Sequence, residues 1–228
     1  MMGRRTLTLG ALTFLTGCDI SDAEAVQTAL ARVSTLNDRV QEWLFDGSRL
    51  APTFTAAQAV RDFRFNAYYP PEKSPMLDDA NYRLSLAGRV ETKAPWTVAQ
   101  LHAQPTQTQI TRHVCVEGWS MIGRWTGTPL RSFLERIGAD LTARYVGFEC
   151  ADGYYEGIDM ATALHPQTMM AFQLAGEPLP ARFGFPLKIR IPTKLGFKNP
   201  KFVTTLYVTN QRPRGFWTDR GYNWFSGI

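Results

Sequence analysis

Between Tyr82 and Thr209 the chain switches secondary-structure period every few residues, and that alternation narrows the fold more than any other feature. Residues 82–88 place apolar and polar side chains at period two, as a half-buried strand requires. Segments 108–116, 144–150, 169–174, 187–191 and 201–209 read as further strands. Short helical segments at 98–104, 129–137 and 159–164 lie among them, the second closed by Gly138. Strands and short helices mixed without an internal duplication predict an α+β fold with a mixed sheet. With 228 residues, 44% hydrophobic and 12% aromatic, the chain can build one domain with a sizeable core, and general disorder is excluded. The tail at 215–225 is too aromatic for a free end and is expected to pack back on the domain or on a partner.

Two earlier stretches differ in texture. Residues 21–48 carry Val26, Leu30, Val33, Leu36, Val40, Trp43 and Leu44 at three- and four-residue steps, which predicts an amphipathic helix capped by Ser21 or Asp22. Such a stripe is core or docking surface. Residues 66–75, rich in proline, predict a loop. At the start, Arg4 and Arg5 precede an uncharged run from Leu7 to Leu15, too short for a permanent membrane span. Leu15-Thr16-Gly17-Cys18 resembles a bacterial lipobox, in which the cysteine is acylated, and Arg4-Arg5 resembles a twin-arginine export signal. That route carries folded proteins, commonly those that load a cofactor first. The expected division is a signal over 1–17, an anchor and helix over 18–64, and the functional domain over 65–228. The formal charge of +5 falls to +3 without the signal, and no concentrated basic stripe is present, so no nucleic-acid partner is expected.

Three segments carry chemistry. Residues 112–121 bring Cys115 to the end of a strand, two positions after His113 and so on the same face. A thiolate there suits a nucleophile or a metal ligand, although the pair alone favours a buried cysteine beside a satisfied histidine. Residues 148–156 contain Cys150, Asp152 and Gly153; in an oxidising compartment a Cys115–Cys150 disulfide is the competing reading. Residues 184–201 interleave lysines with glycine between two strands, which suits a phosphate or else a solvated basic loop.

Taken in order, these segments resemble the molybdopterin-binding domain of the sulfite oxidase family, nearest to its periplasmic protein-methionine-sulfoxide reductase catalytic subunits. The likeness rests on Cys-Val-Glu-Gly-Trp-Ser-Met at 115–121, Gly-Thr-Pro-Leu at 127–130, Asp-Gly-Tyr at 152–154, His-Pro at 165–166 and the run from Pro186 to Lys198. It covers roughly Phe65 to Thr209. The resemblance implies one molybdenum-molybdopterin per chain, with Cys115 as metal ligand and therefore in no disulfide. Asn66, Tyr69, Pro70, Cys150, Phe183, Lys188, Asn199, Pro200 and Lys201 are implied as cofactor contacts. Three of these depart from the reductase pattern: Cys150 replaces a threonine, Phe183 an asparagine and Lys188 an arginine. Glu117 and Trp119 are implied to face the substrate, Glu117 as a proton donor aided by partial burial. The implied partners are an S-oxide substrate and a membrane haem electron-transfer subunit. The implied place is the periplasmic side of the inner membrane, tethered by lipid on Cys18. Sulfite oxidation, or a non-catalytic lipoprotein on the same fold, stay open as alternatives.

Overall fold

The computed structural model describes residues 24–228, which divide into two compact units between Leu44 and Phe45. Arg4, Arg5, Cys18 and the two expected caps Ser21 and Asp22 lie outside the described residues. In the first unit the described residues form one helix, α1 (Glu24–Leu44). The apolar stripe expected on it is present, and its large side chains are solvent-exposed.

The second unit is built on two sheets. The four-stranded sheet holds β1 (Ser85–Gly88), β9 (Val203–Thr209), β4 (Tyr145–Cys150) and β5 (Tyr155–Asp159) in that spatial order; β1 pairs with β9 in parallel and the other pairs are antiparallel. The five-stranded sheet is antiparallel. Its β3 (Ser120–Pro129) lies between β2 (Gln107–Val114) and β6 (Met169–Leu174), and β6 pairs on its other side with β7 (Glu177–Pro178) and β8 (Lys188–Arg190). Three short helices connect strands: α2 (Val98–His102), α3 (Leu130–Arg136) and α4 (Met160–Ala163). Thr97 caps α2 by accepting from Gln100 N, and Asp159 caps α4 by accepting from Thr162 N, so both starts are written locally. Gly138 follows α3 at φ 62°, the left-handed stop that glycine favours.

The main core buries Leu84, Leu130, Phe133, Phe148, Ile189 and Leu206 with their neighbours, and a second cluster gathers Phe63, Trp125, Met169 and Phe183. The aromatic tail packs back as expected: Trp224 and Phe225 are buried with Tyr145. The expected domain start at 65 moves to Phe45, because Thr53 bridges Thr111 and Phe63 is core. The predicted strand at 108–116 ends at Val114, which puts Cys115 in a turn instead of on the strand face of His113. Among the described residues no helix is long and apolar enough to cross a membrane.

Candidate active site

Two hairpin turns with one design meet at a cleft. In the β2–β3 turn, Cys115 N donates to Trp119 O at 2.9 Å and Gly118 N to Cys115 O at 3.2 Å. In the β4–β5 turn, Cys150 N donates to Tyr154 O at 3.0 Å and Gly153 N to Cys150 O at 3.1 Å. The glycines have φ of 86° and 78°, a region other residues enter at a cost, so each turn needs its glycine. The sequence is Cys-x-acid-Gly-aromatic in both: 115–119 and 150–154. Cys115 and Glu117 from one turn and Asp152 and Tyr154 from the other line the same cleft.

The third wall is the crossover from β8 to β9, which carries the chain from the five-stranded sheet to the four-stranded one. Gly196, Phe197, Asn199, Pro200 and Lys201 of this segment line the cleft. Gly196 passes so close to the end of β2 that a Cβ there would sit 2.5 Å from His113 Nε2. Trp217, from the tail, and Asn66, Ala67 and Tyr68, from the proline-rich loop, complete the rim. Tyr69 fixes that loop by donating to Asp152 Oδ2 at 2.7 Å, and Tyr68 donates to Asp152 O at 2.6 Å.

The electrostatics behind the cleft are one-sided. Lys188 is buried and its Nζ donates to Asn199 O at 3.0 Å. Arg190, also buried, donates to Asn199 Oδ1 at 2.9 Å and to Arg112 O at 2.6 Å. Lys201 Nζ donates to Asn66 O at 2.7 Å and lies 4.5 Å from the Phe65 ring centre. All these acceptors are neutral. Burial, reinforced by the charges of Lys201 and Arg190, pushes the Lys188 ammonium well down; burial pushes Lys201 down to about 8. Burial, with Arg190, Lys188 and Lys201 nearby, also holds His113 well below the usual imidazole range, and its Nδ1 has no partner. Asp152 is near enough to offset Lys188 and Lys201 in part, but among the described residues no carboxylate forms an ion pair with either, and a buried positive cluster so weakly compensated is costly unless an anion joins it.

The lysine run therefore splits by partner. Lys198 pairs with buried Glu156 at 2.5 Å, and Lys194 lies 3.7 Å from Asp159; these are held by carboxylates. Lys188 and Lys201 remain for a ligand.

Cys115 and Cys150 are free thiols, which removes the disulfide between them. Burial raises the Cys115 thiol above its usual range, so a thiolate there is favoured by a cation at the sulfur. Among the described residues no three His, Cys, Asp or Glu side chains cluster to hold a metal ion. A metal at Cys115 would need further ligands from outside the chain. Molybdopterin fits both demands: its dithiolene supplies sulfur ligands and its phosphate supplies the missing negative charge.

Of the residues implied by the resemblance, Asn66, Cys115, Glu117, Asn199, Pro200 and Lys201 line the cleft. Tyr69 reaches its wall through Asp152, and Lys188 through Asn199. Pro70 caps the short turn at Pro71–Lys73, and Cys150 is buried at the foot of the second hairpin. Phe183 is a correction: its ring packs edge-on against Phe63 in the second apolar cluster, and it does not line the cleft. Glu117 is exposed, so the partial burial expected of it is absent; its Oε2 accepts from Trp119 Nε1 at 2.9 Å, and Arg64 lies 5.0 Å over the Trp119 ring. Sequence reasoning missed Asp152, Tyr154, Arg190 and Trp217. The repeated five-residue turn was a readable signal for the first two.

Residues 71–217 match the family model described as the oxidoreductase molybdopterin binding domain. A chain of Azospira oryzae provisionally named protein-methionine-sulfoxide reductase subunit YedZ1 is 54% identical over 98% of this chain and 86% of its own length. The protein-methionine-sulfoxide reductase catalytic subunit MsrP of Xanthomonas campestris is 30% identical over 80% of this chain, which spans 64% of that relative's length. Among solved structures, the sulfane dehydrogenase SoxCD from Paracoccus pantotrophus superposes with a TM-score of 0.58 at 21% identity, covering 75% of this chain and 50% of that one, a likeness of fold. With the free thiol, the unpaired cations and the two-sheet frame, this match over most of the second unit makes the chain a member of the molybdopterin-binding oxidoreductase family.

Proposed function

We propose that the chain is the molybdenum-loaded catalytic subunit of an oxygen-atom-transfer enzyme that reduces S-oxides on the periplasmic side of the bacterial inner membrane. One observation carries this reading: a buried thiol at a cleft whose rear wall holds buried cations without a carboxylate partner. When bound, molybdopterin supplies a metal centre that cycles by two electrons. Cys115 Sγ would be the protein's ligand to that centre. Lys188 and Lys201 would hold the phosphate, with Arg190 bracing Asn199 behind them. Overall, an S-oxide takes up two electrons and two protons and leaves as sulfide and water. Glu117, exposed at the cleft mouth and oriented by Trp119, is the side chain placed to relay protons from solvent to the departing oxygen. Tyr154, Phe197 and Trp217 wall the cleft with aromatic surface that suits a thioether.

Charge distinguishes this reading from sulfite oxidation. Glu117 stands exposed at the cleft mouth and, once a phosphate matches the cations at the back, disfavours an approaching sulfite anion relative to a neutral S-oxide. The named relatives support reduction. Electrons come from a membrane haem subunit, and the chain is exported by the twin-arginine route and tethered by acyl groups on Cys18.

Protein expressed through its native export route should contain about one molybdenum per chain; less than about a tenth, with molybdate supplied, refutes the cofactor assignment. Steady-state assays with artificial electron carriers should favour methionine sulfoxide over sulfite, and the reverse preference refutes the direction. Cys115→Ser should abolish turnover.

A further inference from the structure

Six apolar side chains of α1, namely Leu30, Val33, Leu36, Val40, Trp43 and Leu44, share one stripe, and all are exposed, from 44% at Val40 to 82% at Trp43. A contiguous apolar surface of this kind marks a contact, not the scatter of single hydrophobes found on any surface. The charges on the same helix nearly cancel: Glu24, Asp38 and Glu42 against Arg32 and Arg39. Whatever covers the stripe is therefore held by apolar area and not by charge.

Two features choose a lipid surface over a second copy of the helix. Cys18 precedes Glu24 by six residues. Six residues reach at most about 20 Å, so acyl chains on Cys18 hold the start of the helix at a bilayer. The stripe is also too wide for a coiled-coil seam. Beside the three- and four-residue steps through Val26, Leu30, Val33, Val40 and Leu44, Leu36 and Trp43 add a third apolar column. Trp43, the most exposed of the six, stands at the helix end, and an indole is the side chain best suited to the headgroup layer. We propose that α1 lies in the plane of the membrane surface with this stripe in the acyl boundary, as a second membrane contact beside the anchor. The proposal rests on the acylation of Cys18 read above. Because the helix is nearly neutral, the contact should be indifferent to lipid charge and to salt.

The test uses molybdenum-loaded protein with Cys18→Ala and residues 1–17 removed, so that no acyl chain contributes. It should float with phosphatidylcholine vesicles equally at low and high salt. Brominated lipid should quench its fluorescence, and the Trp43→Phe chain should lose that quenching. Replacing Leu30, Leu36 and Trp43 together by glutamine should weaken vesicle binding about 100-fold, with molybdenum content and helical circular dichroism unchanged. A Cys18→Ala chain that stays off the vesicles overturns the proposal. So does a chain that sediments as a dimer, ignores vesicles and becomes monomeric with the triple substitution. The mass of the wild-type processed chain reads acylation separately: an unmodified Cys18 together with intact vesicle binding removes the anchor and leaves the helix contact standing.

Discussion

Replacing Lys201 by methionine should stabilise the cofactor-free protein while abolishing its ability to hold the cofactor. Lys201 is buried, and burial pushes its ammonium from the ordinary 10.5 down to about 8. At about 1.36 kcal/mol per pKa unit, the protonated side chain costs the folded state about 3 kcal/mol. Below pH 8 the lysine is charged in both folded and unfolded chains, so the whole cost is present at neutral pH. Between pH 8 and 10.5 the unfolded chain binds the extra proton, so folding stability gains with rising pH until the cost is gone. Methionine keeps the length of the side chain and removes the charge. It also strands the Asn66 carbonyl that Lys201 now satisfies, a loss of about 1–2 kcal/mol. The net expectation at pH 7 is a gain of about 1–2 kcal/mol, read by urea unfolding of cofactor-free wild type and variant. The difference between the two should vanish or reverse by about pH 10.5, and subtracting the two curves cancels other titrating groups. Molybdenum content should fall in the same variant. A variant that is less stable than wild type at pH 7, or that loads molybdenum normally, refutes the idea that this cation waits for an anion.

Other consequences follow from the same geometry. Glu117→Gln should lower kcat about 100-fold or more in steady-state reduction of methionine sulfoxide while KM changes little, since only proton delivery is lost. Glu156→Ala leaves Lys198 buried without its carboxylate and should cost about 3–5 kcal/mol in urea unfolding. Tyr69→Phe breaks the bond to Asp152 Oδ2 and should cost about 1–2 kcal/mol in the same assay, with slower cofactor loading. Gly196→Ala drives a methyl group into His113 and the Val114 carbonyl, and both thermal stability and molybdenum content should drop.

Much of the frame was legible because its strands follow local rules. The 169–174 segment matches β6 to the residue, the helix expected from 98 begins there, and the one expected from 159 begins at Met160 because Asp159 is its cap. Two strands were hidden by residues whose reason is tertiary. In β3, Gly123 and Gly127 weaken any strand reading, yet a Cβ at Gly127 would lie 2.0 Å from Met170 O; the glycine is there to let two strands meet. In β5, Glu156 and Asp159 suggest a surface, and only the fold shows Lys198 and Lys194 arriving to pair with them. The metal-side cysteine and the cofactor lysines came from motif order. The division of four similar lysines into two structural and two free for a ligand did not, because it depends on which carboxylate each one meets.

The two hairpins show why a local motif underdetermines chemistry. Each offers cysteine, carboxylate, glycine and aromatic residue with nearly the same backbone bonds. Cys115 opens onto the cleft, whereas Cys150 is packed into the main core and burial holds its thiol well above its usual range. The neighbouring charges differ as well. Glu117 is fixed by an indole and stays at the mouth, while Asp152 is spent on tyrosine hydroxyls that hold the proline-rich loop. One turn thus presents a thiol and an acid to a ligand, and its twin builds the opposite wall. Exchanging the roles would require moving Cys150 out of the core, which is a matter of packing and not of the five residues themselves. The same logic separates the cations: Lys198 and Lys201 are three residues apart on one loop, yet one meets a buried glutamate and the other only carbonyl oxygens. The chemistry this site can support is therefore set by which buried charges the fold leaves without an ion-pair partner: among the described residues Lys188, Arg190 and Lys201 are so left, and Lys201 lines the same cleft as Cys115.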